Sequence, residues 1–148
     1  MNYAMNTNPI LLVEDNPDDE LLALRAFKTN KVVNPVIVAR DGQEAVDYLS
    51  DHANALPAFI LLDLKLPKVS GLDVLKRVRE NARTKLVPVI ILTSSTNEPD
   101  LRASYSLGGN SYICKPLDFD IFTATIGRLA RYWLEDNTPP PSELRTTS

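Results

Sequence analysis

The feature that most constrains this chain is a rhythm of five short apolar runs: Ile10 to Glu14, Val36 to Ala39, Phe59 to Asp63, Val89 to Thr93 and Ser111 to Cys114. A longer stretch with helical spacing follows each run. Four or five residues suit a strand rather than a helix, and nearly unbroken apolar character is the pattern of strands covered on both faces. Five alternations of strand and helix predict an α/β fold in which βα units wind into one doubly wound parallel sheet. With 148 residues, 44% of them apolar and 24% charged, the chain has the length for one such domain and not the composition of a disordered one. The domain is expected over residues 8–136, with 1–7 as an N-terminal extension and 137–148 as a Pro-rich tail.

The helix signals fall between the runs. A first helix is predicted over Asp18 to Thr29, with Pro17 at its first turn and Asn16 as its cap. The second follows the turn and cap of Asp41-Gly42. The third follows Ser70-Gly71 and carries Leu72, Val74, Leu75 and Val78 on one side. The fourth, Asp100 to Leu107, is short and thinly apolar, and Gly108-Gly109 can supply the left-handed residue that closes it. The fifth, Phe119 to Glu135, has a stripe of Phe122, Ile126, Leu129 and Trp133 before the Pro139-Pro140-Pro141 run, which cannot continue a helix.

Charge and residue usage exclude several classes. Sixteen Lys plus Arg against 19 Asp plus Glu leave a net charge of -3, so no global positive field exists to hold nucleic acid or an anionic membrane. One cysteine, Cys114, and one histidine, His52, exclude an intrachain disulfide and any clustered Cys/His zinc site. Cys114 reads as a small buried hydrophobe and His52 as a solvated residue. No apolar run is long enough to cross a bilayer, and Met1-Asn2-Tyr3-Ala4 lacks the basic start of a signal peptide. A cytoplasmic protein without nucleic-acid or membrane partners is expected.

In an open parallel sheet, ligands gather at the carboxyl ends of the strands. There the first run ends in Glu14-Asp15, the third in Asp63 and the fourth in Thr93, while Lys115 directly follows the fifth. Three acids on one rim repel unless a hard cation joins them, and an open acidic rim suits magnesium. Asp15-Asn16-Pro17-Asp18-Asp19-Glu20 fails as a calcium loop, having Pro17 at the third position and Glu20 at the sixth. Beside a magnesium ion, a rim carboxylate can attack phosphorus and form an acyl phosphate. Thr93 could then bond a phosphoryl oxygen and Lys115 pair with its charge. Taken singly these residues also have plain readings: Glu14-Asp15 as acids at a helix N-terminus, Thr93 as a strand former, Tyr112 as packing.

Four ordered motifs, Ile10-Leu11-Leu12-Val13-Glu14-Asp15-Asn16, Leu61-Leu62-Asp63-Leu64-Lys65-Leu66-Pro67 with Ser70-Gly71-Leu72, Val89-Ile90-Ile91-Leu92-Thr93-Ser94-Ser95, and Tyr112-Ile113-Cys114-Lys115-Pro116, resemble the receiver domain of two-component response regulators. The resemblance implies a flavodoxin-like (βα)5 fold with strand order 2-1-3-4-5, helices one and five on one face and two to four on the other. It implies Asp63 as phospho-acceptor, with Glu14, Asp15, Asp63 and the backbone carbonyl of Lys65 as ligands of Mg2+. Lys115 would bind the phosphoryl group and precede a cis peptide at Pro116. Thr93 and Tyr112 would form the switch, the hydroxyl moving toward the phosphoryl group and the ring filling the space it leaves. A sensor histidine kinase would supply the phosphoryl group, and an unidentified downstream protein would read the result.

A narrower likeness runs through Thr93 to Glu98, Ala103-Ser104-Tyr105, Asn110-Ser111-Tyr112 and Tyr132-Trp133-Leu134-Glu135. These resemble the small stand-alone regulators that partner phytochrome-type kinases, which implies a light sensor upstream. Lys65 and Ser95 are poorly suited to orient an attacking water, so slow autodephosphorylation is expected. Phe119, Tyr132 and Leu134 fall off the core stripe of the last helix and predict a homodimer interface. Two rivals remain: an aspartyl-phosphate phosphatase or phosphotransferase, which would want an acid where Lys65 stands, and a pseudo-receiver that never gains phosphate.

Overall fold

The computed structural model describes residues 6–141. Residues 1–5 of the expected extension and 142–148 of the expected tail lie outside the described residues. Strands β1 (Ile10–Val13), β2 (Val36–Ala39), β3 (Phe59–Leu62), β4 (Val89–Thr93) and β5 (Ser111–Cys114) alternate with helices α1 (Pro17–Thr29), α2 (Gly42–Ser50), α3 (Gly71–Glu80), α4 (Glu98–Ser106) and α5 (Phe119–Arg131). A π-helical turn, Tyr132–Asp136, extends α5. All strand pairs are parallel and the order is β2-β1-β3-β4-β5, the flavodoxin-like arrangement.

Strand side chains alternate between two cores, as a period of two requires. Ile10, Leu12, Phe59, Leu61, Ile90 and Leu92 face Ala23, Ala26 and Phe27 of α1 and Phe122, Ile126 and Leu129 of α5. Leu11, Val13, Ile60, Leu62, Val89 and Ile91 face Ala45 and Leu49 of α2 and Val74, Leu75 and Val78 of α3. The three central strands are buried throughout, whereas the edge strands β2 and β5 are mostly half-buried. The reversal of strand order beside β1 leaves a crevice at the carboxyl ends of β1 and β3, which is where Glu14, Asp15 and Asp63 emerge.

Five expectations need correction. Helix α4 begins at Glu98, two residues before the predicted start, because Asn97 caps it by accepting the Asp100 N–H at 2.8 Å and Pro99 suits the first turn. Helix α5 does not run regularly to Glu135. Its last turn widens, with the Asn137 N–H reaching the Tyr132 carbonyl at 2.6 Å, so the residues returning to the core after Leu129 and Ala130 are Leu134 and the half-buried Trp133. Leu134 is 5% exposed, which removes it from the expected dimer interface, while Phe119 and Tyr132 are exposed. Cys114 is exposed rather than buried, because the edge strand is thinly covered by α4, whose only buried residue is Ser104. Finally, the Lys115–Pro116 bond is trans, as is every peptide bond among the described residues. A peptide bond before proline favours trans by a small margin, and the trans bond here already delivers Lys115 to the acidic rim.

Candidate functional site

Ladder hydrogen bonds carry the sheet one residue past each strand and thereby fix the site. The Glu14 N–H donates to Ala39 (3.0 Å), the Asp63 N–H to Val13 (3.1 Å) and the Lys115 N–H to Thr93 (2.8 Å). Each chemically important side chain therefore hangs from backbone that is still part of the sheet. Helix α3 starts directly behind the third strand: a Cβ on Gly71 would lie 2.2 Å from the Asp63 carbonyl oxygen and 2.5 Å from Leu64 Cα. Gly42 meets the same loop in the same way, with a Cβ 1.8 Å from the Val69 oxygen. Asp41 caps α2 through the Glu44 N–H at 2.8 Å and pairs with Lys68 at 3.5 Å, bracing the segment that follows Asp63.

Glu14 and Asp63 are buried and Asp15 is exposed, yet one carboxylate oxygen from each lies within 4.8 Å of the others. A trio of hard oxygen donors, open to solvent on the Asp15 side, fits a small divalent cation that keeps some of its water. Lys115 Nζ donates to Glu14 Oε1 at 2.7 Å, Asp19 Oδ2 at 2.9 Å and Asp63 Oδ2 at 3.1 Å. Burial pushes the Glu14 carboxyl up to about 7, against the lowering effect of its bond with Lys115. Burial alone would lower Lys115, but its hydrogen bonds to Glu14 and Asp19 and the fields of Asp63 and Glu14 outweigh it and hold the ammonium above its ordinary value. Three carboxylates bond one ammonium and a fourth, Asp15, lies beside Glu14 and Asp63, so acids outnumber the one cation of the cluster and a bound metal ion would offset their repulsion.

The remaining candidates meet at Ser95. Thr93, fully buried, accepts the Ser95 N–H on its hydroxyl at 3.3 Å, and the half-buried Tyr112 donates its hydroxyl to the Ser95 carbonyl at 2.9 Å. Ser95 itself donates to Asp100 Oδ2 of α4 at 2.6 Å. Lys65 keeps its ammonium exposed while its N–H approaches Asp63 Oδ1 at 3.4 Å. Sequence reasoning missed Asp19. It stood among three acids of the first turn of α1, all equally readable as acids at a helix N-terminus. The structure separates them: Glu20 makes a two-bond pair with Arg40, Asp18 is exposed, and Asp19 turns to Lys115.

The response regulator receiver domain model matches residues 10–127. Over 134 residues the chain is 42% identical to the "Probable methanogenesis regulatory protein FilR2" of Methanothrix harundinacea, covering 88% of this chain and 86% of that protein. It is 39% identical over 136 residues to response regulator Rcp1 of Synechocystis, covering 88% and 92%. The crystal structure of the Mn(2+)-bound form of Rcp1 aligns with a TM-score of 0.83, covering 90% of this chain and 99% of that one at 36% identity. The phosphorylated cyanobacterial phytochrome response regulator RcpA aligns with a TM-score of 0.83 at 38% identity, covering 90% and 98%. Sequence likeness along most of the chain and one shared topology lead to a single conclusion: this chain belongs to the response regulator receiver domain family and is related to phytochrome response regulators.

Proposed function

We propose that this protein accepts a phosphoryl group on Asp63 from a sensor histidine kinase of the phytochrome class and signals by changing its protein contacts. The observation that carries this reading is the convergence of Asp63, Glu14, Asp15 and Lys115 at one sheet end. An Asp63 carboxylate oxygen attacks phosphorus, the bond from phosphorus to the kinase imidazole nitrogen breaks, and that nitrogen keeps the electron pair. A carboxylate nucleophile carries no proton to be removed, so the step requires no general base. Lys115 holds the charge of the arriving group, and Glu14, Asp15, Asp63 and the Lys65 carbonyl are the expected ligands of Mg2+. The ion, when bound, neutralises charge on the transferred oxygens.

Thr93 and Tyr112 are the switch pair. A Thr93 hydroxyl that turns to the phosphoryl group leaves the Ser95 N–H, and Ser95 is tied to both Tyr112 and α4. The chain is a signalling protein rather than an enzyme acting on other substrates, since the position two residues after Asp63 offers Lys65 and not a general acid. Exposed Phe119 and Tyr132 support self-association through α5, and the light-sensing partner rests on the likeness to RcpA. In this reading the receiver domain spans residues 8–136 and acts in the cytoplasm. Incubation with acetyl phosphate and Mg2+, followed by intact-mass measurement, tests the acceptor. Wild type gains one phosphoryl mass and Asp63→Ala gains none; an unlabelled wild type, or a labelled variant, refutes the assignment.

A further inference from the structure

Lys115 has three N–H bonds and all three are used. To hold a phosphoryl oxygen it must give one up. The longest, at 3.1 Å, goes to Asp63 Oδ2, the group that loses its charge when it becomes an acyl phosphate. That bond passes to the incoming oxygens, so the other two must keep the ammonium in place. Glu14 is shared with the candidate cation group, whereas Asp19 stands outside that group and, among the described residues, its carboxylate bonds only Lys115. The backbone carrying Asp19 is also fixed, because Asn16 Oδ1 accepts the N–H groups of Asp18 at 2.8 Å and Asp19 at 3.3 Å.

We propose that Asp19 is a positioning residue for Lys115, a carboxylate on the first turn of α1 that keeps the ammonium aimed at the acceptor as Asp63 changes from carboxylate to acyl phosphate. This role deepens the phospho-acceptor reading and rests on it. Asp19→Asn keeps an acceptor oxygen at the same place, and Asp19→Ala removes it. Both lose the favourable interaction of an acid with the helix N-terminus, so a purely helix-stabilising role predicts equal losses in the two variants.

The test has two arms on the full chain. In the first, 15N NMR of the lysine ammonium groups follows the slowly exchanging Lys115 signal without any phosphodonor; it persists in wild type and Asp19→Asn and is lost in Asp19→Ala. In the second, labelling by acetyl phosphate with Mg2+ slows about three- to tenfold in Asp19→Ala, as expected for the loss of one ordinary hydrogen bond, and stays within about twofold in Asp19→Asn, which keeps an acceptor. An Asp19→Ala protein with an unchanged ammonium signal and labelling rate overturns the proposal. So does an Asp19→Asn protein as impaired as Asp19→Ala, since charge at the helix end would then be the cause. If wild type takes no phosphoryl group, the acceptor reading fails, and the NMR arm still decides whether Asp19 fixes Lys115.

Discussion

Gly71→Ala tests whether the close approach of α3 to the end of β3 is what holds the acceptor. The added Cβ would sit 2.2 Å from the Asp63 carbonyl oxygen and 2.5 Å from Leu64 Cα, where ordinary contact begins at 3.4 Å. Helix or strand end must therefore retreat by about 1.2 Å, and both obstacles are backbone that cannot rotate aside. Overpacking of this kind costs about 1–3 kcal/mol, while alanine returns up to about 1 kcal/mol of helix propensity. The net expectation is a loss of about 1–2 kcal/mol, or roughly 3–8 °C in Tm for a domain of this size. Urea and thermal unfolding give the stability, and acetyl phosphate labelling gives the site, where the displaced Asp63 backbone slows the reaction. Gly127→Ala is the comparison, since the obstacle there is the Asn30 side chain between α1 and α5; it lowers stability and leaves labelling unchanged. A Gly71→Ala protein as stable and as readily labelled as wild type would refute the claim that backbone contact demands glycine.

Three further outcomes are expected. In protein freed of metal, the folded state holds the Glu14 proton to about pH 7, well above its ordinary value of 4.5. This group therefore favours the fold below about pH 4.5 and that advantage fades as pH rises through 7, by an order of 3 kcal/mol; urea unfolding between pH 5 and 8 should lose this slope in Glu14→Gln, and identical slopes would contradict it. Leu134→Ala should cost about 2–5 kcal/mol of monomer stability, whereas Tyr132→Ala should cost under about 1 kcal/mol and weaken self-association by sedimentation; the reverse ranking would mean the widened last turn is wrong. Arg79 donates to the Gly108 carbonyl at 2.9 Å, the Val87 carbonyl at 2.7 Å and Asn110 Oδ1 at 2.8 Å, so Arg79→Ala should speed hydrogen exchange at the Gly109 amide, which closes α4 onto Ser104. Unchanged exchange there would show that α4 is held by other contacts.

How much was legible differs by scale. Five apolar runs separated by helical spacing were enough for the element order, because periodicity is a local property and each run states its own burial. The rim acids were legible for the same reason: a carboxylate at the end of an apolar strand is out of place unless it is used. Asn16 and Asp41 also announced themselves as caps, whereas the cap at Ser70 emerged only in the structure. The end of α5 was not legible, since nothing in Tyr132-Trp133-Leu134 tells a regular turn from a wider one; the choice between Trp133 and Leu134 depends on which finds room beneath α1. Cys114 was misjudged because an apolar strand does not say whether it lies at an edge.

What the amino-acid order determines by itself is therefore the alternation, the caps and the residues that end each strand, all set by short-range sterics and apolar spacing. What the tertiary structure alone decides is who meets whom. Residues 14, 19, 63 and 115 lie on four separate segments, and only strand order and register bring Glu14, Asp19 and Asp63 within 3.1 Å of one ammonium. Of three adjacent acids at the start of α1, the one that serves Lys115 is chosen by the direction in which the first helical turn faces the sheet. Local sequence cannot encode that direction, because it is fixed by packing α1 against α5 and by a lysine, Lys115, that follows nearly a hundred residues later.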